Sequence, residues 1–153
     1  NEINSSEYLA NIVGTLGSPA PYFNLDEEYE LQQCIKGLIK NSFINAAHDV
    51  SDGGLFTTLL EMCLVNDLGF DIVTDSEIRK DAFLFGESQS RVVVSVVEDD
   101  EDKFLDFVAE MNIPCLLLGH VTKGRCTVDE QNFGMIADYK ELYDNAIGKE
   151  MAN

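Results

Sequence analysis

Ala47-His48-Asp49-Val50-Ser51-Asp52-Gly53-Gly54-Leu55 is the stretch on which the reading of this chain turns. A short extended run leads into two consecutive glycines. Beyond them Leu55, Leu59, Leu60, Cys63 and Leu64 recur at helical spacing, while Thr57, Thr58 and Glu61 take the other side. The stretch is therefore a strand-to-helix corner. Such a corner presents backbone N–H groups at a helix start, where an anion is favoured. It is neither a Walker A loop, since no Gly-Lys-Ser/Thr follows, nor a G-x-G-x-x-G fingerprint. Two readings of it stand. Either Asp49, Ser51, Asp52, Gly53 and Gly54 form an edge that meets a phosphate or other anion, or the glycines simply permit a tight turn with Asp52 near the helix cap.

Upstream, Asn4 with Glu7 makes a capping-box-like start for a short helix carrying Tyr8, Leu9, Ile12 and Val13, ended by Gly14. Gly17-Ser18-Pro19-Ala20-Pro21 is a connector. A longer helix is expected from Asn24, with acidic residues in its first turn, Lys36 and Lys40 in its last, and Leu31, Cys34, Ile35, Leu38 and Ile39 on one face. Residues 1–23 thus read as an entry helix and connector, and 24–153 as one domain. Downstream the sequence predicts a strand over 69–73 and a short helix over 76–82. The run 92–97 is almost wholly β-branched and too short for a helix, so it is expected to be a central strand buried on both faces. A helix over 99–111 should turn Phe104, Leu105, Val108 and Met111 inward, followed by a strand over 115–121. Gly124 then turns into a partner strand through Val128. Asp138 with Glu141 caps a last helix bearing Tyr139, Leu142, Tyr143, Ala146 and Ile147, closed by Gly148. This order of elements argues for an α/β (α+β) sandwich with a mixed sheet.

The chain carries 28 acidic against 10 basic residues, a formal net charge of −18, so a nucleic-acid backbone would be repelled and no nucleic-acid partner is expected. An anionic substrate would have to be held locally, by helix N-termini, by Arg79, Lys80, Arg91 or Arg125, or through Mg²⁺. No window approaches the roughly 18 uninterrupted apolar residues of a membrane span, and no basic-then-apolar signal opens the chain, so a cytoplasmic protein without a membrane partner is expected. The start, Asn1-Glu2-Ile3, lacks an initiator Met, as in a piece of a longer chain or after tag removal or processing. Cys34, Cys63, Cys115 and Cys126 contain no C-x-x-C pair, and only His48 and His120 could add imidazole, which is the wrong spacing for structural zinc. Reduced, buried thiols are expected.

A second polar segment enters the β-branched run: Leu84-Phe85-Gly86-Glu87-Ser88-Gln89-Ser90-Arg91-Val92-Val93-Val94-Ser95-Val96. Glu87, Ser88 and Gln89 offer carboxylate, hydroxyl and amide just before a strand, a place from which to orient a small polar ligand, and Arg91 could meet a phosphate or Glu87 itself. The alternative is a polar network joining strand to helix. Asp49 and Asp52 could hold the Mg²⁺ of a nucleotide or cap the turn. His48 has a general base's chemistry, but no Ser or Cys partner is identifiable.

With Ser6-Glu7-Tyr8-Leu9 at the start and Leu118-Gly119-His120-Val121 further on, the two segments resemble, in order, the C-terminal domain of phosphoribosylformylglycinamidine synthase. The Asp-x-Ser-Asp-Gly-Gly-Leu element is also similar to one in selenophosphate synthetase, thiamine-monophosphate kinase, a hydrogenase-maturation protein and aminoimidazole ribonucleotide synthetase. The resemblance implies a three-layer α/β/α domain, partly ferredoxin-like. It implies an ATP-dependent ligase of purine biosynthesis that converts formylglycinamide ribonucleotide to its amidine through an iminophosphate attacked by ammonia. ATP and Mg²⁺ would serve the intact enzyme, with none required by this fragment. Partners implied are an N-terminal synthetase half-domain of the same enzyme and a glutaminase domain or subunit. The family is internally duplicated: the first-half copy of Glu-Ser-Gln resembles the substrate-binding one, whereas His-Asp-Val-Ser-Asp-Gly-Gly resembles the second-half copy, at a pseudosymmetric site associated with a structural nucleotide. The family's catalytic His, metal carboxylates and ATP loop belong to the other half, so no catalytic residue is carried over and the fragment alone is expected to be inactive. Two alternatives remain open: a related ATP-using enzyme with another small-molecule acceptor, and a non-catalytic packing or nucleotide-retaining domain.

Overall fold

A computed structural model describes residues 3–75 and 77–152. The described chain forms two compact units, and the division falls inside a helix. One unit takes the chain as far as Thr58 and then Asp81–Leu117; the other takes Leu59–Lys80 and the chain from Leu118 onward.

The first unit begins with an entry helix, Leu9–Val13, whose turns are of π type and which Gly14 ends in a left-handed conformation. Its start is held by Ser6 rather than Asn4: the Ser6 hydroxyl accepts from Leu9 N–H at 3.3 Å and donates to Ile3 O at 2.6 Å. Helix α1 (Leu25–Lys40) starts where its cap predicts, the Asn24 side chain accepting from the N–H groups of Asp26 and Glu27. Strand β1 (Ala46–Asp49) leads through the Gly-rich turn into α2 (Gly54–Leu64). Helix α3 (Lys80–Phe85) lies later than the expected 76–82; Ser76 itself lies outside the described residues. Strand β3 (Val92–Ser95) and helix α4 (Glu101–Glu110) follow.

Strand β3 corrects the expectation of a central strand buried on both faces. It is half-buried, ends at Ser95, and pairs only with β1, antiparallel, with Asp49 opposite Val92 and Ala47 opposite Val94. Side chains alternate along a strand, and the even-numbered ones do the packing: Val94 and Val96 lie against Cys34 and Leu38 of α1 and Phe104 and Val108 of α4. A nearly continuous apolar run therefore conceals a one-sided ribbon. Leu105, expected inward, is exposed.

In the second unit, β2 (Gly69–Ile72), β4 (Gly119–Thr122), β5 (Arg125–Val128) and β6 (Gln131–Met135) form a mixed sheet in the order β4-β2-β5-β6. The mixed sheet and the α/β class were expected; the division of the strands over two sheets was not. Nor do β4 and β5 form a hairpin, although only two residues join them. Strand β2 lies between, antiparallel to β4 and parallel to β5. Burial explains this choice. The parallel register sets Phe70 beside Cys126 and Ile72 beside Val128, four side chains at most 3% exposed, whereas β4 is largely open to solvent. Strand β6 was not anticipated, and residues 115–118 are irregular rather than extended. Helix α5 (Ile136–Met151) begins without a side-chain cap and runs through Gly148. Of its apolar stripe Ile136 is buried, while Leu142, Tyr143 and Ile147 are exposed.

All four cysteines are free thiols; Cys34, Cys63 and Cys126 are buried and Cys115 is exposed, contrary to its expected burial. Burial pushes the Cys63 thiol up to about 11, so it stays protonated at neutral pH. Among the described residues no helix is long and apolar enough to cross a membrane.

Candidate functional site

The strand-to-helix corner is built on backbone geometry that favours glycine. Gly53 has φ +85° and Gly54 φ +71°. A Cβ on Gly54 would lie 2.7–2.8 Å from the backbone of Leu84 and Phe85, so the turn is packed main chain to main chain against the end of α3. The helix start is closed from inside: the Thr57 hydroxyl donates to Gly53 O at 3.1 Å, and Thr58 donates to Gly54 O at 3.1 Å and to Asp49 O at 3.4 Å. Thr58, which lies off the apolar stripe, is nevertheless only 2% exposed. Its hydroxyl is satisfied locally, which is why a polar residue is tolerated there.

The turn and the Glu87–Arg91 segment come together. Gly53 N–H donates to Glu87 Oε1 at 2.8 Å, and Val50 N–H donates to Arg91 O at 2.9 Å. A third element joins them, since Glu7 N–H donates to the same Glu87 Oε1 at 2.9 Å. Tyr8 stacks on Phe85 with ring centroids 5.0 Å apart and planes within 4°, and Phe56 meets Phe85 edge-on at 5.9 Å.

These contacts correct one expectation. The N–H groups foreseen as seats for an anion are engaged, Gly53 by the Glu87 carboxylate and Gly54 by Ser51 O at 3.0 Å. Arg91 likewise turns inward, its guanidinium donating to Gly86 O at 3.0 Å and Phe83 O at 3.4 Å. Burial lowers its proton affinity from the ordinary value, but a guanidinium remains charged at any physiological pH. It ties the α3 end to β3 by a charge-assisted pair of bonds.

The remaining candidates lie at the rim. Asp49 has its side chain 79% exposed, Ser51, Asp52 and Gln89 are exposed, and Ser88 is half-buried beside Glu87. His48 Nδ1 lies 2.7 Å from Asp49 O, a local bond rather than a catalytic pairing. Ser90, at φ +59°, donates to Glu28 Oε2 at 2.7 Å; that bond, with a second from Gln32, holds the Glu28 carboxyl below its ordinary value. Among the described residues no group of three or more His, Cys, Asp or Glu could hold a metal ion. Two rim carboxylates, Asp49 and Asp52, fit Mg²⁺ only as an ion brought in on phosphates, the way Mg²⁺ is commonly held. An open groove of about 310 Å³ between α1 and the β1–β3 ribbon is lined by Glu28, Leu31, Gln32, Ile35, Lys36, Asp49 and Val92. With one lysine against two carboxylates, it suits a phosphate poorly.

Sequence reasoning missed Glu7 and Thr58 as parts of this corner. Both act through groups that carry no sequence signal, a backbone N–H in one case and a locally satisfied hydroxyl in the other.

Residues 3–130 match the family described as AIR synthase related protein, C-terminal domain. The phosphoribosylformylglycinamidine synthase subunit PurL of Synechocystis sp. is 36% identical over 89% of this chain, and that of Salinibacter ruber is 41% identical over 82%. The chain spans 18% and 17% of the length of these two relatives. Among solved structures, Thermotoga maritima PurL complexed with FGAR matches with a TM-score of 0.68 at 13% identity, covering 84% of this chain and 23% of that one. The same protein complexed with ATP matches with a TM-score of 0.64, covering 90% and 24%. At that identity the structural likeness bears on the fold.

Proposed function

The chain belongs to the family of AIR synthase related protein C-terminal domains, and on that premise we propose that it is the second-half synthetase domain of a phosphoribosylformylglycinamidine synthase. The identity of 41% over 82% of the chain to a subunit of that name carries the reading. In it, the chain serves a cytoplasmic, ATP-dependent ligase of purine biosynthesis. The reaction replaces the amide oxygen of formylglycinamide ribonucleotide with nitrogen from ammonia, while ATP is split to ADP and the departing oxygen leaves as phosphate. Partners would be the N-terminal synthetase half-domain and a glutaminase that releases the ammonia.

The hydrogen bonding supports a division of the candidate residues between two tasks. Gly53, Gly54, Glu87 and Arg91 shape the corner by internal hydrogen bonds. Asp49, Ser51, Asp52, Ser88 and Gln89 lie at its rim, where the phosphates of a nucleotide, with Mg²⁺ between them and the carboxylates, would be met. The chain alone should form no amidine from ATP, ammonia and substrate, and a parent synthase lacking it should lose turnover. Product formation by the chain alone would overturn this division of labour.

A second reading, a packing domain that retains a nucleotide without taking part in chemistry, is favoured by one observation: Arg91 and the Gly53 and Gly54 N–H groups are already satisfied internally. Replacing Asp49 and Asp52 with Ala in the parent separates the two. Loss of turnover with nucleotide still bound favours a catalytic rim; loss of co-purifying nucleotide with turnover kept favours retention.

A further inference from the structure

We infer that Glu87 is a positioning residue that couples the docking of the entry segment to the geometry of the Gly53–Gly54 turn. A single oxygen, Glu87 Oε1, accepts from Gly53 N–H at 2.8 Å and from Glu7 N–H at 2.9 Å. Both donors stand at the start of a helix, where backbone N–H groups lack partners within their own helix. They are 34 and 80 positions from Glu87, so neither bond is a by-product of local chain geometry. A second contact follows the same route. Tyr8 stacks on Phe85, and the backbone of Phe85 is what Gly54 packs against. Displacing the entry helix therefore removes one of two donors from Glu87 and the aromatic cover from Phe85, both of which face the turn.

The entry segment is suited to move. Its regular part is seven residues long, 7–13, of which Leu9–Val13 is π-helical, and Ile12, Val13 and Leu16 are more than half exposed. Its other long-range bonds, Ser5 N–H to Ser18 Oγ and Ser5 Oγ to Ser18 O and Pro19 O, close the segment on itself rather than on the rest of the unit. Few buried contacts and exposed hydrogen bonds mark a region that opens below the global unfolding free energy. Such opening would be transmitted through Glu87 to the turn. Its bearing on a nucleotide rests on the reading proposed above; the coupling itself does not.

Residue-resolved amide exchange on the protein without nucleotide tests it. Glu87→Ala should accelerate exchange at both Glu7 and Gly53 about tenfold, whereas Glu87→Gln, which keeps an acceptor oxygen, should stay within about threefold of wild type. The decisive variant is Tyr8→Ala, which removes neither of the two backbone donors to Glu87 Oε1 and should still accelerate Gly53 about threefold or more. If Tyr8→Ala speeds Glu7 and leaves Gly53 unchanged, there is no coupling. If Phe104 and Val108 in the α1–α4 core accelerate equally, the effect is global unfolding and the inference fails. Adding ATP to the wild type then bears only on the functional reading: absence of any shift at Asp49, Ser51 or Asp52 counts against nucleotide binding and leaves the coupling standing.

Discussion

Among the described residues two tight turns place consecutive residues at positive φ, and they do so with opposite sequences. In the first unit the turn is Gly53-Gly54, at +85° and +71°; in the second it is Asp129-Glu130, at +48° and +63°, joining β5 to β6 as a two-residue hairpin of the type I′ kind. Each is tied to distant parts of the chain through one carboxylate. Glu87 takes Gly53 N–H and Glu7 N–H. Asp129 takes Thr74 N–H at 2.7 Å, the Thr74 hydroxyl at 2.8 Å and the Lys80 ammonium at 2.9 Å. The difference is what lies over the turn. Main chain covers Gly54, so glycine is compulsory; Glu130 is exposed, so a side chain is merely strained.

The largest effect expected from this contrast is at Gly54. Gly54→Val puts a β-branched residue at positive φ and drives its Cβ into the backbone of Leu84 and Phe85. The strain and overpacking together should cost about 3 kcal/mol or more, a large part of a domain's stability. Urea denaturation followed by circular dichroism should show the midpoint collapse. A near-normal midpoint would mean that the α3 end yields easily and that the turn is not packed as described.

Next in size is Asp129→Ala, which strands Thr74 N–H and its hydroxyl and leaves Lys80 without its carboxylate. A loss of about 2 kcal/mol is expected, the range for orphaned, half-buried donors. The same residue makes a pH prediction. Hydrogen bonds from Thr74 N–H and then from Lys80 hold the Asp129 carboxyl below its ordinary value in the folded state. A depressed folded-state pKa contributes stability that is fully present above the unfolded value, about 3.9, and is lost as pH falls through the folded one. The stability gap between wild type and Asp129→Asn should therefore be constant from about pH 5 to 8 and narrow below about pH 4. A gap that stays constant into the acid range would mean that Thr74 and Lys80 do not favour the ionised form.

The two turns also mark how far the sequence could be read. Gly53-Gly54 announces itself, because glycine between an extended run and an amphipathic one has few other uses. The Asp129-Glu130 hairpin was missed for the converse reason: it lacks the Gly that flags a type I′ turn, and β6, Gln-Asn-Phe-Gly-Met, lacks β-branched residues. For the candidate corner, the residue types at 49–54 and 87–91 could be foreseen, but not the partner of each. Glu87 was foreseen as a ligand group and instead accepts two N–H groups; Arg91 was foreseen as an anion's counter-charge and instead binds two carbonyls. Partner choice is a long-range property, set by which buried donors would otherwise go unpaired. Apolar patterning misleads in the same way. The valine-rich β3 and the Leu142-Tyr143-Ile147 stripe of α5 show periodicity correctly, yet periodicity does not say what, if anything, covers the face.

The smallest effect is the one that sharpens the comparison most. Glu130→Gly should stabilise the protein by about 0.5 kcal/mol, as the difference between two opposing terms. Relief of a left-handed conformation at a residue with a Cβ is worth about 1 kcal/mol or slightly more, and the extra freedom that glycine gives the unfolded chain takes back about 0.5–1. The gain is expected because Glu130 is exposed and sits at the second central position of the hairpin, where type I′ turns favour Gly. It should show as a small rise in urea midpoint and slower amide exchange in β5 and β6. A fall in stability would mean that positive φ carries little strain in this chain, and the intolerance expected at Gly54 would then rest on the crowding by Leu84 and Phe85 alone.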